Sequence, residues 1–469
     1  MNDRTYFEGF RDVPETEAVR LPWIGTPPPW LQGTLFRNGP GRFDRGQQSV
    51  DHWFDGLALL HSATLDPGGV TYRSRFLRTR DYRQSAQTGR IDAPGFASDP
   101  CRDLFRKVAS AFTFDATDNA NVNVIRHGER YLALTELPLP IEFEPGSLRT
   151  KGGRPYPDSL GDGSTTAHPH CQDGLLVNQV LKFGRTPTHR FYTQKPGMPR
   201  QEFARLGVDD VCYVHSFGMS ANHMVLVRGP FQVKPLTLLL RDRPFIENFR
   251  WRPENGTKFH FLPRRPGKAA PLTLQAEPFF HFHHINSQET EDGAVLVDLI
   301  AYEDASVIEM LRLPALERGD GLVYGRPRRY RCDLRVGTVE RELDSRHILE
   351  LPNFDYSAKN TRNYRYVYGM SALSESLFFD LVIKLEIETD QALYWHQPHC
   401  FPGEPVFVRN PDSASEDDGV LLCVVLSGER ARSFLLLLDA RDLQEIARAE
   451  LPVPVPHGFH GFFERSGDL

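Results

Sequence analysis

The sequence is poor in the features that mark several large classes of protein. None of its few cysteines belongs to a CxxC pair, so we expect reduced thiols, not a disulfide framework or a zinc cage. Lys and Arg number 55 against 61 Asp and Glu, a net charge of −6, so no charge excess indicates a nucleic-acid binder. The six cysteines are Cys101, Cys171, Cys212, Cys332, Cys400 and Cys423.

Long apolar runs are also absent. Residues 434–438 form one of the longest purely apolar runs, far short of the ~20 residues that cross a bilayer as a helix. Residues 1–6 lack the apolar core of a signal peptide. We therefore expect a cytoplasmic protein.

Aromatic residues and turn formers, by contrast, are plentiful. The chain has 32 Phe, 37 Gly and 36 Pro among 469 residues, which favours a strand-rich, turn-rich fold and excludes a disordered chain. Helical periodicity is convincing only from Cys101 to Phe112 and over residues 304–313. No Ser/Gly linker or block of charge divides the chain, so we predict a single domain over residues 1–469.

A recurring unit predicts antiparallel hairpins. His168, His215 and His283 are each followed by a turn and then by an apolar strand. Two of these turns, at 173–174 and 292–293, are Asp-Gly, which is among the strongest hairpin signals. Repeated hairpins without long helical crossovers predict an all-β fold, and specifically a β-propeller of several four-stranded blades.

Histidine is the residue type most suggestive of chemistry. There are 17 histidines, clustered in AHPH (167–170), FHFHHI (280–285) and PHGFHG (456–461). A single histidine is more often structural than a ligand, and no pair has the helical spacing of a zinc site. Such distant histidines meet at one metal only if the fold brings them to one axis, which a propeller permits.

These clusters lie among motifs that resemble the carotenoid cleavage oxygenase family, closest to the animal-type branch that includes β-carotene oxygenases and the retinal pigment epithelium isomerohydrolase. The resemblance covers nearly the whole chain, with the motifs in family order. They are GTLFRNGPG (33–41), HWFDG (52–56), TDNANVNV (117–124), TAHPH (166–170), YVHSF (213–217), FHHIN (282–286), EPVFV (404–408), DDG (417–419) and FHG (459–461).

The resemblance implies a seven-bladed β-propeller with a loop and helix cap over one face and Fe(II) on the central axis. By motif position the iron ligands are His168, His215, His283 and His460. The neighbouring histidines His170, His284 and His457 are the competing candidates, which we interpret as supporting or structural. Glu136, Glu350 and Glu404 match the family's outer carboxylates, which hold ligand imidazoles in one tautomer by accepting Nδ1–H.

The implied activity is the cleavage of a conjugated C=C bond of a carotenoid or apocarotenoid by O₂, giving aldehydes. Four imidazoles leave two positions of an octahedral iron open for this chemistry. Stilbene-cleaving relatives carry Lys immediately before the glutamate matched here by Glu136, whereas this chain has Thr135, which argues against a phenolic substrate. A retinoid isomerohydrolase and a non-catalytic lipid-binding propeller remain as alternatives.

Such apolar substrates imply contact with a membrane surface. The stripe of apolar residues from Cys101 to Phe112 lies beside Arg102, Arg106 and Lys107, which suits a helix lying in the headgroup region. Residues 236–240 and 244–246 are a second candidate for this contact, with packing on the propeller as the alternative for both. We expect a cytoplasmic protein that associates peripherally and reversibly with membranes.

Overall fold

The computed structural model describes residues 3–467 apart from 92, 99–116, 162, 173, 235–236, 238–242, 266, 268–269 and 374–375. Within these residues, strands far outnumber helices, so the all-β prediction is confirmed. The helices are short and lie in connections between strands. They are α1 (Arg80–Thr88), α2 (Ser306–Met310), α3 (Leu313–Arg318) and α4 (Tyr356–Lys359), with 3-10 helices at Thr5–Phe10, Trp53–Asp55, Phe245–Asn248 and Pro253–Asn255.

The strands run along the whole described chain. They are β1 (Thr16–Leu21), β2 (Ile24–Gly25), β3 (Gly33–Arg42), β4 (Leu57–Asp66), β5 (Gly69–Phe76), β6 (Asn123–His127), β7 (Arg130–Leu134), β8 (Ile141–Phe143), β9 (Thr150–Gly153), β10 (Ser164–Thr165), β11 (His170–Gln172), β12 (Leu175–Lys182), β13 (Thr188–Gln194), β14 (Gln201–Gly207), β15 (Val211–Cys212), β16 (Gly218–Met219), β17 (His223–Arg228), β18 (Phe231–Val233), β19 (Arg250–Trp251), β20 (Thr257–Pro263), β21 (Leu272–Ala276), β22 (Phe280–Glu289), β23 (Val295–Tyr302), β24 (Arg326–Asp333), β25 (Thr338–Asp344), β26 (Glu350–Asn353), β27 (Tyr366–Ser371), β28 (Leu381–Glu386), β29 (Gln391–His396), β30 (Cys400–Pro402), β31 (Val406–Arg409), β32 (Gly419–Ser427), β33 (Arg432–Asp439), β34 (Glu445–Glu450) and β35 (Gly461–Arg465).

All pairings among these strands are antiparallel, and they form seven sheets of at least four strands and one small sheet of three. In chain order, sheet 1 is β1-β5-β4-β3-β35, sheet 2 is β6-β7-β8-β9, and sheet 3 is β12-β13-β14 with β10 and β11 both on β12. Sheet 4 is β16-β17-β20-β21, sheet 5 is β22-β23-β24-β25, and sheet 6 is β26-β27-β28-β29. Sheet 7 is β2-β34-β33-β32 with β30 and β31 both on β32, and the small sheet is β15-β18-β19.

Consecutive sheets pack face to face through apolar side chains. Val225 and Phe259 of sheet 4, for example, share a buried cluster with Val297 of sheet 5. Sheet 7 packs against sheet 1 as well, since Leu422 and Leu65 belong to one buried cluster. This order of neighbours is consistent with a β-propeller.

The two ends of the chain meet in sheet 1. Strand β35 pairs with β3 in the register Arg37↔Gly461, and residues just before β35 continue the contact. The amide of Phe459 donates to the carbonyl of Asn38 at 2.9 Å, and the amide of Asn38 donates to the carbonyl of His460 at 3.0 Å. The C-terminal motif therefore sits directly against the N-terminal one.

Some predictions of local structure are confirmed and others are wrong. The hairpin turn at 292–293 joins β22 to β23, with Gly293 in the left-handed region at φ +87°. The apolar residues over 211–217 predict one continuous strand, but β15 ends at Cys212 and the backbone that carries His215 is irregular. The helix predicted over 304–313 is interrupted between α2 and α3, where Pro314 disfavours a continuous helix.

One helix was missed, and another lies outside the described residues. Helix α1 contains few apolar residues, so no apolar stripe signals it in the sequence. Thr79 nevertheless caps it by accepting from the amide of Tyr82, and Gly89 ends it in the left-handed conformation. The segment from Cys101 to Phe112 lies outside the described residues. No helix among those described is long and apolar enough to cross a membrane, and each described cysteine is a free thiol.

Candidate metal centre

Four histidines from four different sheets meet at one point. His168 lies between β10 and β11, His215 between β15 and β16, His283 within β22, and His460 directly before β35. One nitrogen from each ring lies within 4.8 Å of the others. The Nε2 atoms of His168 and His215 are 2.9 Å apart, and those of His283 and His460 are 3.2 Å apart.

The three predicted glutamates surround this cluster, each from one of the remaining sheets. Glu136 follows β7, Glu350 begins β26, and Glu404 lies between β30 and β31. Each accepts a hydrogen bond from an imidazole Nδ1–H. The distances are 2.6 Å for Glu136 and His215, 2.7 Å for Glu350 and His283, and 2.8 Å for Glu404 and His460. Each of the seven large sheets therefore has one of these residues within one of its strands or in a connection next to one.

This pattern of hydrogen bonds fits a bound cation. An imidazole that donates from Nδ1 carries a bare lone pair on Nε2. In His283 and His460 these lone pairs face each other at 3.2 Å with no proton between them, an arrangement that a shared metal ion stabilises. Neutral imidazole suits Fe, Zn, Cu and Ni, so the donor set accommodates the iron that the sequence implied.

The electrostatics of the site favour the neutral form of His168, His215 and His460. Burial lowers the pKa of His460 to about 4, although Glu404 acts in the opposite direction. Burial and the neighbouring rings hold the pKa of His168 well below its ordinary value. Burial also lowers the pKa of His215, which Glu136 opposes. These rings therefore need not lose a proton before binding a metal at neutral pH.

Glu350 and Glu404 remain ionised although both are buried. Burial alone would raise the pKa of Glu350, but His283 and the hydroxyl of Tyr302, which donates at 2.5 Å, keep it below the usual range. Burial acts on Glu404 in the same way, and Arg37 together with His460 keeps the pKa of Glu404 low. Anionic acceptors hold the imidazoles in one tautomer and strengthen them as ligands.

Each glutamate has a further donor that the sequence analysis did not identify. The hydroxyl of Tyr213 donates to Glu136 at 2.8 Å, Tyr302 donates to Glu350, and the guanidinium of Arg37 forms a buried ion pair with Glu404. Arg37 lies inside the motif at 33–41 and Tyr213 begins the motif at 213–217, so the motifs could have indicated both residues. Nothing near Tyr302 in the sequence signals its role.

The competing histidines lie outside the cluster and are bonded elsewhere. His170 contacts the hydroxyl of Tyr356 at 2.8 Å and the carbonyl of Phe217 at 3.1 Å. His284 bonds the hydroxyl of Ser216 at 3.0 Å. His457 donates to the carbonyl of Tyr6 at 2.9 Å.

A cavity of about 390 Å³ adjoins the cluster, with His215, His283 and His460 in its wall. Most of the wall is apolar and much of it is aromatic. The aromatic residues are Trp53, Phe54, Phe96, Phe183, Tyr213, Phe245, Phe282, Tyr302, Phe379 and Phe459. Such a lining suits an apolar ligand.

The second candidate for membrane contact is only partly described. Ile246 is 2% exposed and packs in the core, and Phe245 lines the cavity, so neither forms an apolar patch on the surface. The packing alternative is therefore the correct interpretation for Ile246.

Comparisons with known proteins find similarity over nearly the whole chain. Residues 7–465 match the family described as retinal pigment epithelial membrane protein, RPE65. The chain is 31% identical to the mitochondrial carotenoid-cleaving dioxygenase of Macaca fascicularis, over 93% of this chain and 90% of that protein. It is 32% identical to the beta,beta-carotene 15,15'-dioxygenase of Gallus gallus, over 97% of each protein.

Solved structures agree as well. The cobalt-substituted apocarotenoid oxygenase of Synechocystis superposes with a TM-score of 0.87 at 26% identity, covering 99% of both chains. Together with the match over residues 7–465, these likenesses confirm the family inferred from the motifs. The chain belongs to the RPE65 family of carotenoid oxygenases.

Proposed function

We propose that the protein is an iron-dependent dioxygenase that splits a conjugated C=C bond of a carotenoid or apocarotenoid. One molecule of O₂ supplies both oxygen atoms, so the broken double bond becomes two carbonyl groups and the products are aldehydes of the retinal type. The observation that carries this proposal is the convergence of four imidazoles and three carboxylates beside a largely apolar cavity.

In this proposal His168, His215, His283 and His460 hold Fe(II), and Glu136, Glu350 and Glu404 orient the rings. The iron supplies the activation of O₂. The glutamates keep Nδ1 protonated on three of the rings, so that Nε2 is always available as a ligand atom. They also offset the charge of a divalent ion whose direct ligands are all neutral.

The cavity wall positions the polyene and keeps water out. Phe54, Phe282 and Phe459 lie together beside the cluster, with Phe54 to Phe459 ring centres 5.3 Å apart and Phe54 to Phe282 6.0 Å apart. Flat rings at this spacing suit a rigid conjugated chain, and a dry wall protects reactive species from hydrolysis.

We interpret the architecture as one seven-bladed propeller domain, with each large sheet as a blade and the ligand axis at its centre. The order of sheet contacts and the single contribution of each sheet to the site support this interpretation. The helices and loops that line the cavity serve as the cap.

The cavity wall also bears on the alternative substrates. Thr135 lines the cavity next to Glu136, in the position where stilbene-cleaving relatives carry Lys. A neutral hydroxyl does not stabilise a phenolate as an ammonium group does, which disfavours a stilbenoid. The complete donor set disfavours a purely lipid-binding propeller.

Peripheral membrane contact is part of the proposal, because the substrate resides in lipid. Its support is the sequence from Cys101 to Phe112, together with an exposed Arg243 in the cavity wall. Flotation of the protein with liposomes tests it. Deletion of residues 101–112 is expected to reduce the floated fraction.

The activity is tested by aerobic incubation of the Fe(II)-loaded protein with detergent-dispersed β-carotene, and separately with an apocarotenal, followed by chromatography. Aldehyde products that depend on both iron and O₂ are expected. The His215→Ala variant should give none, whereas the control His170→Ala, which alters a histidine outside the cluster, should retain cleavage. Intact substrate in both incubations, from protein that holds iron, would contradict the proposal.

A further inference from the structure

One of the four clustered histidines lacks the support that holds the other three. The rings of His215, His283 and His460 each donate from Nδ1 to a glutamate, at 2.6, 2.7 and 2.8 Å. Nδ1 of His168, in contrast, has no hydrogen-bond partner among the described residues, and its Nε2 contacts Nε2 of His215 at 2.9 Å. A partner on the second ring nitrogen fixes the orientation of a ligand imidazole and strengthens it as a ligand.

The tautomer of His168 is likewise not fixed by a carboxylate. Since His215 donates from Nδ1, its Nε2 carries a lone pair that accepts a hydrogen bond. The 2.9 Å contact is therefore a hydrogen bond whenever His168 carries its proton on Nε2. His168 thus has a protein partner that replaces a metal ion. The Nε2 atoms of His283 and His460 face each other with no proton between them, so neither ring replaces the ion in this way.

The position of His168 relative to the cavity also differs from that of the other ligands. Those three rings line the cavity, whereas His168 is not among the described residues of its wall. They are buried, and His168 is partly exposed. Residues 169–170 are partly exposed as well, and Cys171 is exposed. Solvent therefore reaches the chain within three residues of His168, at a place outside the cavity wall.

The backbone of His168 has weaker contacts than that of His460. Within the described part of the chain, the amide of His168 bonds only the hydroxyl of Thr166, at a long 3.4 Å. The amide of His460 donates to the carbonyl of Val122 at 3.2 Å, and its carbonyl accepts from the amide of Asn38 at 3.0 Å. Moving His168 away from the cluster therefore breaks fewer contacts than moving His460.

We propose that His168 is the exchangeable ligand of the metal, the last to bind the ion and the first to release it, and that the ion enters and leaves on the side where His168 and Cys171 lie. The ion on this route is a hydrated divalent cation, which reaches the imidazoles without crossing the apolar cavity. Metal is then exchanged even while a polyene occupies the cavity. The role of His168 rests on the proposed function for the presence of a metal ion, and it adds the route by which that ion is acquired.

Metal affinity tests the order of the ligands without a cleavage assay. Metal-free wild-type protein and the variants His168→Gly and His460→Gly are dialysed against Co²⁺, which imidazole sites bind more tightly than Fe²⁺. Bound metal is measured by elemental analysis, and circular dichroism checks that each variant is folded. Both variants should bind more weakly than wild-type protein. The loss in His460→Gly should exceed that in His168→Gly by roughly 10–100-fold, the usual contribution of a supporting carboxylate.

A matched control and a contrary result complete this test. His396→Ala alters an exposed histidine of β29 and should bind Co²⁺ as wild-type protein does. A loss of affinity in folded His168→Gly that equals or exceeds the loss in His460→Gly would overturn the role of His168.

Rescue by free imidazole tests the side on which the ion enters. Imidazole fills the space left by a His→Gly substitution and restores Co²⁺ affinity, with wild-type protein in the same imidazole as the reference. The measurement is repeated with an apocarotenal in the cavity, whose binding is reported by quenching of tryptophan fluorescence because Trp53 lies in the wall. Rescue of His168→Gly should persist, whereas any rescue of His460→Gly should be lost, since His460 lines the cavity. Failure of imidazole to rescue His168→Gly, with or without the apocarotenal, would overturn the route.

The two proposals fail in different ways. If polyene cleavage occurs but His168→Gly loses as much affinity as His460→Gly, only the role of His168 is refuted. If no polyene binds, the proposed function fails, and the order of Co²⁺ affinities still decides whether His168 is the exchangeable ligand.

Discussion

The ion pair between Arg37 and Glu404 offers a quantitative test of how the junction of the two chain ends supports the histidine cluster. Their side chains are 8% and 4% exposed, and Arg37 also donates to the carbonyl of Phe459 at 2.8 Å, one residue before His460. Replacing Arg37 by Met leaves a buried carboxylate without its cation, which lowers the free energy of unfolding by about 3–5 kcal/mol. Part of this loss is the unmet carbonyl of Phe459.

A double-mutant cycle separates the ion pair from general damage. Arg37→Met, Glu404→Gln and the double variant are unfolded with denaturant as metal-free proteins and followed by tryptophan fluorescence. Because the double variant has no unpaired charge, its loss of stability should be at least 2 kcal/mol smaller than the sum of the two single losses. If the two single-variant losses of stability sum to the double-variant loss to within about 0.5 kcal/mol, the two residues do not act as a pair and the reasoning is refuted.

Three further predictions follow from the described contacts. His215→Ala should reduce bound iron, measured by elemental analysis, to a small fraction of that in wild-type protein, and an iron loss as large in His170→Ala would contradict the ligand assignment. Burial lowers the pKa of His52 to about 4, and its Nδ1 accepts from the amide of Phe54, so the folded protein resists its protonation. Stability should therefore fall as pH decreases from about 6.5 to 4, by about 3 kcal/mol for this residue, and His52→Gln should flatten that part of the profile. A Cβ on Gly39 would lie 2.4 Å from the Cα of Gly458, so Gly39→Ala should destabilise the junction of the chain ends by about 1–3 kcal/mol. Thermal unfolding of the two variants checks this. Gly146→Ala is the control and should change stability little, because the space around its added Cβ is open.

The sequence predicted correctly those features that depend on a local turn or on a short motif of functional residues. The Asp-Gly turn at 292–293 predicted its hairpin because few dipeptides adopt that turn as readily. The four histidines and three glutamates were identified because their motifs keep a recognisable order along the chain. Local pattern failed where tertiary contacts override it, as in the irregular backbone around His215.

By itself, the sequence determined the all-β class, the family and the residue types available for a metal. It did not determine that His168 and His215 lie 2.9 Å apart, or that Arg37 meets Glu404 across 367 residues of chain. These contacts depend on how successive sheets pack and on where the last strand joins the first. Such packing is set by complementary apolar surfaces distant in the chain, and no local pattern of residues encodes those distances.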